Sequence, residues 1–350
     1  MYATDGQRYF VIDGHVHLWD GSPANQRNEY GAGWIQCFYD YHTGLSPEAE
    51  VWPKEKFEKY TEADFVHDLY EKGYVDVAIS LPTILSEFYR NGFYRKDDAI
   101  ALQQKLGDKL ILNGAWDPRD GEAGLEAFEE EATRMGYKGV KLYTAEWRNG
   151  SKGYSLTDPM SYRYLEKTAE LGVTNVHVHK GPTVWPLNRD AFDVHDIDDV
   201  ATQFPQLNFI VEHIGLPRLE DFCWIATQES NVYAGMAVAM PFIHSRPRYF
   251  GQMMGELLYW LGEDKICFAS DYAIWEPKWL IDKFMAFQIP EDMQAEYGQI
   301  TDLARAKIIG LNLARLYDIP VPDGVVGSEP AVKAAAAEQA TEAPLAGAPS

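Results

Sequence analysis

Cysteine, long hydrophobic runs and signal-like segments are what this chain has least of. Its 350 residues include three cysteines, and none of them stands in a CxxC pair. This pattern excludes a disulfide scaffold and a structural zinc knot, and it favours a reducing compartment. No apolar run approaches the ~18 residues of a membrane helix, and the N-terminal MYATDGQRYF lacks the basic and apolar regions of a signal peptide. We therefore expect a cytoplasmic protein with no membrane partner.

Positive charge is also scarce. The chain has 31 Lys and Arg against 53 Asp and Glu, which gives a formal net charge of -22. Such an acidic surface is unsuited to a nucleic-acid groove or an anionic membrane, so we expect neither partner. Aromatic residues are abundant, with 10 Trp and 21 Tyr. They are typical of a walled pocket or of a protein interface, and composition does not separate the two.

Short β-branched runs alternate with amphipathic stretches along most of the chain. Eight runs have the character of buried strands: YFVIDGHVH (9–17), VDVAISLPT (75–83), LILNGAWDP (110–118), GVKLYTA (139–145), TNVHVHKG (174–181), NFIVEHIG (208–215), NVYAGMAVA (231–239) and KICFASDYA (265–273). Eight strand–helix repeats predict an α/β fold, a distorted (β/α)8 TIM barrel. A doubly wound open sheet is the alternative, but no GxGxxG follows the first strand.

Two segments do not fit the repeat. Residues 20–60 form a long aromatic insertion after the first strand, and we expect a lid or an interface there. Residues 322–350 are rich in Ala, Pro and Glu, and we expect a disordered low-complexity tail. The sequence therefore predicts a single catalytic domain over residues 1–321.

Polar side chains gather at the carboxyl ends of the predicted strands, where barrel chemistry is located. His15 and His17 share one face because side chains in a strand alternate, and the fifth strand repeats this spacing. The residues concerned are His15, His17, Lys141, Glu146, His177, His179, Glu212, His213 and Asp271. Imidazoles and carboxylates are ligands for zinc, iron and manganese. One ion needs three or four protein ligands, and two ions need about six.

The ordered motifs DGHVH, HVHKG, EHIG and FASDYA resemble those of the amidohydrolase superfamily, in its amidohydrolase-2 branch. The closing segment ARAKIIGLNLARLYDI, with Asn312, is also similar, and the resemblance covers residues 10–318. It implies a metal-dependent enzyme that hydrolyses or nonoxidatively decarboxylates a small carboxylated or amide compound. A zinc or manganese ion is implied as the cofactor.

The resemblance also assigns roles to individual residues. It implies that His15, His17, His179 and Asp271 bind the metal, and that Asp271 alternatively accepts a proton from bound water. His213 is implied as the general acid/base or as a ligand of a second metal. The resemblance therefore implies that His213 and Asp271 are the catalytic residues.

Three further residues leave a second reading open. His177 is either a hydrogen-bond partner of a ligand or itself a ligand, and Lys141 either binds a substrate carboxylate or is carboxylated to bridge two metals. Glu146 is a loop carboxylate or a ligand of the second metal. If all three are ligands, the chain resembles instead the dinuclear Fe/Fe or Mn/Fe oxygenases of this barrel. A homo-oligomer, or a hetero-oligomer with a homologous subunit, is expected, and a non-catalytic subunit is the third alternative.

The remaining candidates have weaker patterns. His67 and His195 are expected in solvent, His42 could reach the pocket from the insertion, and His244 lines the pocket or lies on the surface. Arg148 and Lys180 are candidates for binding a carboxylate, by their charge alone.

Overall fold

A computed structural model describes residues 1–328. Its strands are β1 (Tyr2–Thr4), β2 (Gln7–Tyr9), β3 (Ile12–Val16), β4 (Val77–Ser80), β5 (Leu110–Leu112), β6 (Gly139–Leu142), β7 (Asn175–His179), β8 (Asn208–Glu212), β9 (Val232–Gly235) and β10 (Ile266–Cys267). Its α-helices are α1 (Glu29–Leu45), α2 (Lys54–Glu58), α3 (Glu62–Val66), α4 (Lys96–Leu106), α5 (Gly121–Met135), α6 (Pro159–Glu170), α7 (His195–Gln203), α8 (Leu219–Gln228), α9 (Phe242–Ser245), α10 (Pro247–Leu261), α11 (Pro277–Ala286), α12 (Gln294–Tyr297), α13 (Asp302–Ala306) and α14 (Asn312–Tyr317). A π-helical turn, Lys307–Leu311, joins α13 to α14.

The eight strands β3 to β10 form a closed parallel barrel in chain order. Pairing runs without a break from β3 to β5 and from β6 to β10. Two parallel bridges join these groups, Gly114 to Val140 and Val16 to Tyr272. The predicted TIM barrel is therefore confirmed, and the open sheet is wrong.

The observed strands are shorter than the predicted runs, most clearly at the eighth repeat. The sequence pattern predicts a strand over residues 265–273, but β10 contains only Ile266–Cys267. Asp271 has a φ of 60°, a left-handed conformation in which a strand cannot continue. The chain therefore turns at this point and presents Asp271 at the barrel mouth.

The N-terminal hairpin of β1 and β2 was not predicted. Tyr2 pairs with Tyr9, and Asp5 and Gly6 between the strands have φ values of 50° and 77°. An Asp-Gly pair favours this turn because both central residues of a type I′ turn need positive φ. The Asp5-Gly6 pair was therefore a sequence signal for this hairpin.

The insertion at residues 20–60 is largely helical. Its main element is α1, whose N-cap Asn28 accepts hydrogen bonds from the backbone N–H groups of Tyr30 and Gly31. Trp34 and Phe38 point from this helix into the core. The insertion thus packs on the barrel as a wall.

The C-terminal helix α14 lies at the amino end of the barrel. Asn175, the first residue of β7, donates to the carbonyl of Leu316 over 2.8 Å. Residues 322–328, which the sequence assigned to the tail, are packed here. Val325 is buried, and the N–H of Val326 donates to the carbonyl of Arg8. The rest of the predicted tail lies outside the described residues. Within residues 1–328, no helix has the length and apolar character needed to cross a membrane.

Candidate metal centre

Two histidines and an aspartate converge where the barrel closes. His15 lies on β3, His17 follows it, and Asp271 follows β10, the neighbour of β3 in the closed barrel. The Nε2 atoms of His15 and His17 are 3.0 Å apart. Asp271 Oδ1 lies 3.5 Å from the first and 3.3 Å from the second. All three side chains are buried.

The outer nitrogens of both histidines are held by acceptors. His15 Nδ1 donates to Glu212 Oε2 over 2.8 Å, and His17 Nδ1 donates to the carbonyl of Leu81 over 2.7 Å. These bonds place both protons on Nδ1, so that the Nε2 lone pairs face each other. Two bonds of about 2.1 Å at a right angle would separate such nitrogens by about 3.0 Å. The three side chains therefore fit one divalent cation.

The ionisation of the group also suits a cation. Burial lowers the pKa of His15 to about 3, so its ring is neutral at pH 7. Burial alone would raise the pKa of Asp271, but the adjacent His15 and His17 hold it well below its ordinary value. Neutral imidazole and ionised carboxylate are the forms that bind metal.

His179 and His213 form a hydrogen-bonded pair beside this triad. His213 Nδ1 donates to the carbonyl of Ala237 over 3.1 Å, so its Nε2 accepts from His179 Nδ1 over 2.9 Å. Burial lowers the pKa of both rings. Within residues 1–328, the group whose ligand atoms all lie within 4.8 Å of one another contains His15, His17 and Asp271, without this pair. His179 and His213 thus lie next to the group rather than in it.

His177 lies deeper in the barrel and uses both ring nitrogens. Its Nδ1 donates to Glu212 Oε1 over 2.6 Å, and its Nε2 accepts from the Tyr317 hydroxyl over 2.6 Å. The same hydroxyl accepts from Asn113 over 2.8 Å. His177 therefore supports Glu212, which holds His15, and these contacts are those of the hydrogen-bond partner, one of the two alternatives that the sequence left open.

Lys141 and Glu146 also lie outside the triad. Lys141 is buried on β6, and burial lowers its pKa. Glu146 lies in a separate cavity, where its Oε1 is 3.8 Å from Arg148 Nη2. Burial raises the pKa of Glu146 to about 7. Among the His, Cys, Asp and Glu side chains of residues 1–328, Glu146 and His177 belong to no second group of close ligand atoms.

The weaker candidates are distributed elsewhere. His42 is buried in a structural role, since its Nδ1 donates to the carbonyl of Ile274 and its Nε2 accepts from Trp52 N–H. His244 is exposed on the surface, as are His67 and His195. Lys180 forms a buried ion pair with Asp196 at 2.7 Å. Arg148 is paired with carboxylates in the cavity that contains Glu146.

A cavity of about 430 Å³ opens over the triad, and we call it the metal pocket. Its other walls are mainly aromatic and aliphatic: Phe38, Tyr41, Thr83, Tyr143, Pro182, Val184, Val238, Ile274 and Trp275. The sequence did not identify most of these residues, because they come from separate loops and from α1. The aromatic content of residues 20–60 was a sequence signal for part of the pocket wall, because Phe38 and Tyr41 lie in this segment.

Comparison with protein families assigns the chain. Residues 12–319 match the model of the amidohydrolase-2 family, which is described as amidohydrolase. The chain therefore belongs to this family, and the resemblance inferred from the sequence is confirmed. No curated protein matches the sequence.

Solved structures share the fold. An uncharacterised TIM-barrel protein from Bordetella bronchiseptica is 17% identical with a TM-score of 0.64, covering 88% of this chain and 98% of its own. The 5-carboxyvanillate decarboxylase of Novosphingobium aromaticivorans, bound to manganese and 4-hydroxy-3-methoxy-5-nitrobenzoic acid, is 15% identical with a TM-score of 0.57 and coverage of 89% and 96%. An amidohydrolase from Burkholderia multivorans with bound zinc is 14% identical with a TM-score of 0.54 and coverage of 89% and 100%. Family and fold together support a metal-dependent hydrolase or decarboxylase.

Proposed function

We propose that this chain is a metal-dependent carboxy-lyase, which removes CO2 nonoxidatively from a small, largely apolar carboxylated compound. The observation that carries the proposal is the position of the His15, His17 and Asp271 triad at one end of an enclosed pocket with aromatic and aliphatic walls.

The apolar walls favour decarboxylation for an electrostatic reason. A carboxylate concentrates its charge on two oxygens, and loss of CO2 spreads that charge over the carbon skeleton. An apolar environment around the carbon skeleton disfavours spread charge less than concentrated charge, so it favours the charge distribution that forms as CO2 leaves. Phe38, Val184 and Trp275 provide such an environment. A divalent ion held by the triad supplies a Lewis acid that fixes the carboxylate and a neighbouring oxygen.

The chain must also move a proton to the carbon that loses CO2. His213 is the proposed proton-transfer residue, because it lines the metal pocket. Its Nε2, which accepts from His179, must exchange that hydrogen bond for a proton from solvent before it donates to the substrate carbon. Its Nδ1 also lies 3.9 Å from Asp271 Oδ2, so the ring is next to the triad without a hydrogen bond to it. Proton transfer by a positioned side chain contributes about 10²–10⁴-fold to a rate.

The alternatives use the same pocket less well. Hydrolysis needs an attacking water and a protonated leaving group, and both are best held by polar side chains. In this pocket polar side chains are fewer than aromatic and aliphatic ones. A dinuclear oxygenase needs further ligands from Lys141, Glu146 and His177, but His177 is hydrogen-bonded at both nitrogens and Glu146 lines another cavity. A neighbour of the same fold bound to manganese is a decarboxylase of a carboxylated aromatic compound. It supports the choice of an aromatic acid for testing.

The test compares three reactions on one preparation loaded with manganese or zinc. Hydroxylated benzoic acids are the substrates for CO2 release, their primary amides are the substrates for hydrolysis, and oxygen consumption is followed with an electrode. When the reaction is run in D2O, we expect CO2 release and one deuterium from the solvent in the product. His213→Asn keeps a donor for the Ala237 carbonyl and should lower the rate at least ~100-fold with the metal retained. The exposed His244→Asn is the matched control.

The proposal would be overturned by hydrolysis of the amides without CO2 release from any acid. Oxygen consumption coupled to product formation would establish the oxygenase instead.

A further inference from the structure

A second cavity lies beside the metal pocket, and we call it the polar compartment. It has a volume of about 430 Å³ and is located after the carboxyl ends of β4, β5 and β6. Tyr143 lines both cavities, so a single side chain forms a wall common to the two. The polar side chains of the compartment are Asp117, Asp120, Lys141, Tyr143, Glu146, Arg148 and Tyr154.

Four donors of this compartment have no hydrogen-bond partner among residues 1–328. One is Arg148 Nε, whose guanidinium is already paired with carboxylates, and the other three belong to buried residues. These three are Lys141 Nζ, Tyr143 Oη and Tyr154 Oη. The three residues are 1%, 7% and 8% exposed, so water reaches them little in the folded protein. Buried polar groups are nearly always paired, and a set of unpaired groups on residues that line one cavity indicates a ligand.

The carboxylates of the same compartment are already paired with cations. Asp117 accepts two hydrogen bonds from the guanidinium of Arg119, over 2.8 and 2.5 Å. Arg148 is hydrogen-bonded to Asp120 and lies 3.8 Å from Glu146 Oε1, which also accepts from Ser86 N–H. The protein therefore has donors to spare and few free acceptors. A ligand that completes the hydrogen bonding must bring acceptor oxygens.

We propose that the polar compartment is a carboxylate-binding subsite, in which Lys141, Tyr143 and Tyr154 donate to the carboxylate oxygens. The ligand that we prefer is the second carboxylate of a dicarboxylated substrate whose first carboxylate lies in the metal pocket. Only this choice of ligand rests on the proposed function. A free small carboxylate has the same chemistry and is the other source. The raised pKa of Glu146 supports the assignment, because partial protonation near neutral pH reduces the repulsion between this carboxyl group and an anion.

Tyr154 offers the sharpest variant. Its hydroxyl has no partner among the described residues, so Tyr154→Phe should leave the melting temperature of the ligand-free protein unchanged or higher. The matched control is Tyr164→Phe, which removes a buried hydroxyl that donates to the Gly121 carbonyl over 2.8 Å. Loss of this hydrogen bond should lower the melting temperature. A large decrease in Tyr154→Phe would overturn the proposal, since the hydroxyl would then have a structural partner.

Binding is measured by calorimetry with benzoate, isophthalate and terephthalate, on protein loaded with manganese. We expect one of the two dicarboxylates to bind at least tenfold more tightly than benzoate. This advantage should fall below twofold in Tyr154→Phe and in Lys141→Met, and persist in Tyr164→Phe. An advantage that survives in both variants overturns the proposal. A wild type that shows neither this advantage nor acetate binding sensitive to Tyr154→Phe overturns it as well.

Acetate distinguishes the two sources and is also tested on metal-free protein. Competition of acetate with the dicarboxylate but not with benzoate supports the far end of the substrate. Acetate binding that is additive with the dicarboxylate and absent in Tyr154→Phe supports a free carboxylate. Neither measurement requires turnover, so a chain that releases no CO2 but shows these differences refutes the proposed function and retains the subsite.

Discussion

Glu212 accepts a hydrogen bond from His15 through Oε2 and from His177 through Oε1. One buried carboxylate therefore holds a histidine of the metal centre and connects it to the interior of the barrel. Burial would raise the pKa of Glu212, but the neighbouring His15 and Lys141 hold it well below its ordinary value. An ionised acceptor at this position fixes the proton of His15 on Nδ1 and leaves Nε2 free.

Glu212→Gln should weaken metal binding without removing a ligand. The amide offers one acceptor oxygen for two imidazole donors, so one ring loses its orientation. Changes of this kind lower metal affinity about 10–100-fold. Competition with a chromophoric chelator gives the affinity, and circular dichroism checks the fold. Unchanged affinity in a folded Glu212→Gln protein would contradict the assigned role.

The metal centre itself should bind one ion per chain through His15, His17 and Asp271. His17→Ala or Asp271→Ala should lower the metal affinity more than the ~100-fold limit for indirect changes. Elemental analysis of protein purified without chelator gives the stoichiometry, and His67→Ala, at an exposed histidine, is the control. Two ions per chain with iron present would favour the oxygenase and would return attention to Lys141, Glu146 and His177.

Gly181 should be required for the position of His213. A Cβ at residue 181 would lie 2.5 Å from the Cβ of His213, which is closer than carbon atoms approach. Gly181→Ala should therefore displace the ring, and a displacement of about 1 Å at a reacting group can cost about 100-fold in rate. Metal content should not change. Gly44→Ala is the control because a Cβ added at residue 44 would meet no atom within 4 Å, and equal activities of the two variants would contradict the prediction.

Glu146 should make stability depend on pH. Its pKa is about 7 in the folded chain because of burial, against an ordinary value of about 4.3 in the unfolded chain. The native state therefore binds more protons between these values, so the free energy of unfolding decreases as pH rises from about 4.3 to 7. Below this window, both states are protonated and the contribution is complete.

The effect is measured as the difference between the wild type and Glu146→Gln in denaturant unfolding from pH 4.5 to 8. The difference should change by up to about 3 kcal/mol in favour of the variant as pH rises, since each pKa unit corresponds to about 1.4 kcal/mol. Asp13, whose pKa burial also raises to about 7, is present in both proteins, so its effect cancels. A difference that is constant over this range would show that the carboxyl is already ionised.

The alternation of strands and helices was sufficient to predict the barrel, and the i, i+2 spacing was sufficient to place His15 and His17 on one face. Both are local properties, because a strand has a period of two whatever surrounds it. The role of Asp271 came from resemblance to a family. Its contact with His15 and His17 depends on closure of β10 against β3, which brings together residues about 250 positions apart.

Only the tertiary structure determines which hydrogen-bond partners His177 and His179 have. The sequence places them on one strand with the same spacing as His15 and His17, yet His177 is directed to Glu212 and Tyr317 and His179 to His213. Which partners a buried imidazole meets depends on neighbouring strands and on α14, whose positions no local pattern contains. The polar compartment was hidden for the same reason. Three of its unpaired donors are ordinary lysine and tyrosine in the sequence, and only the packing around them removes every other partner in the described chain.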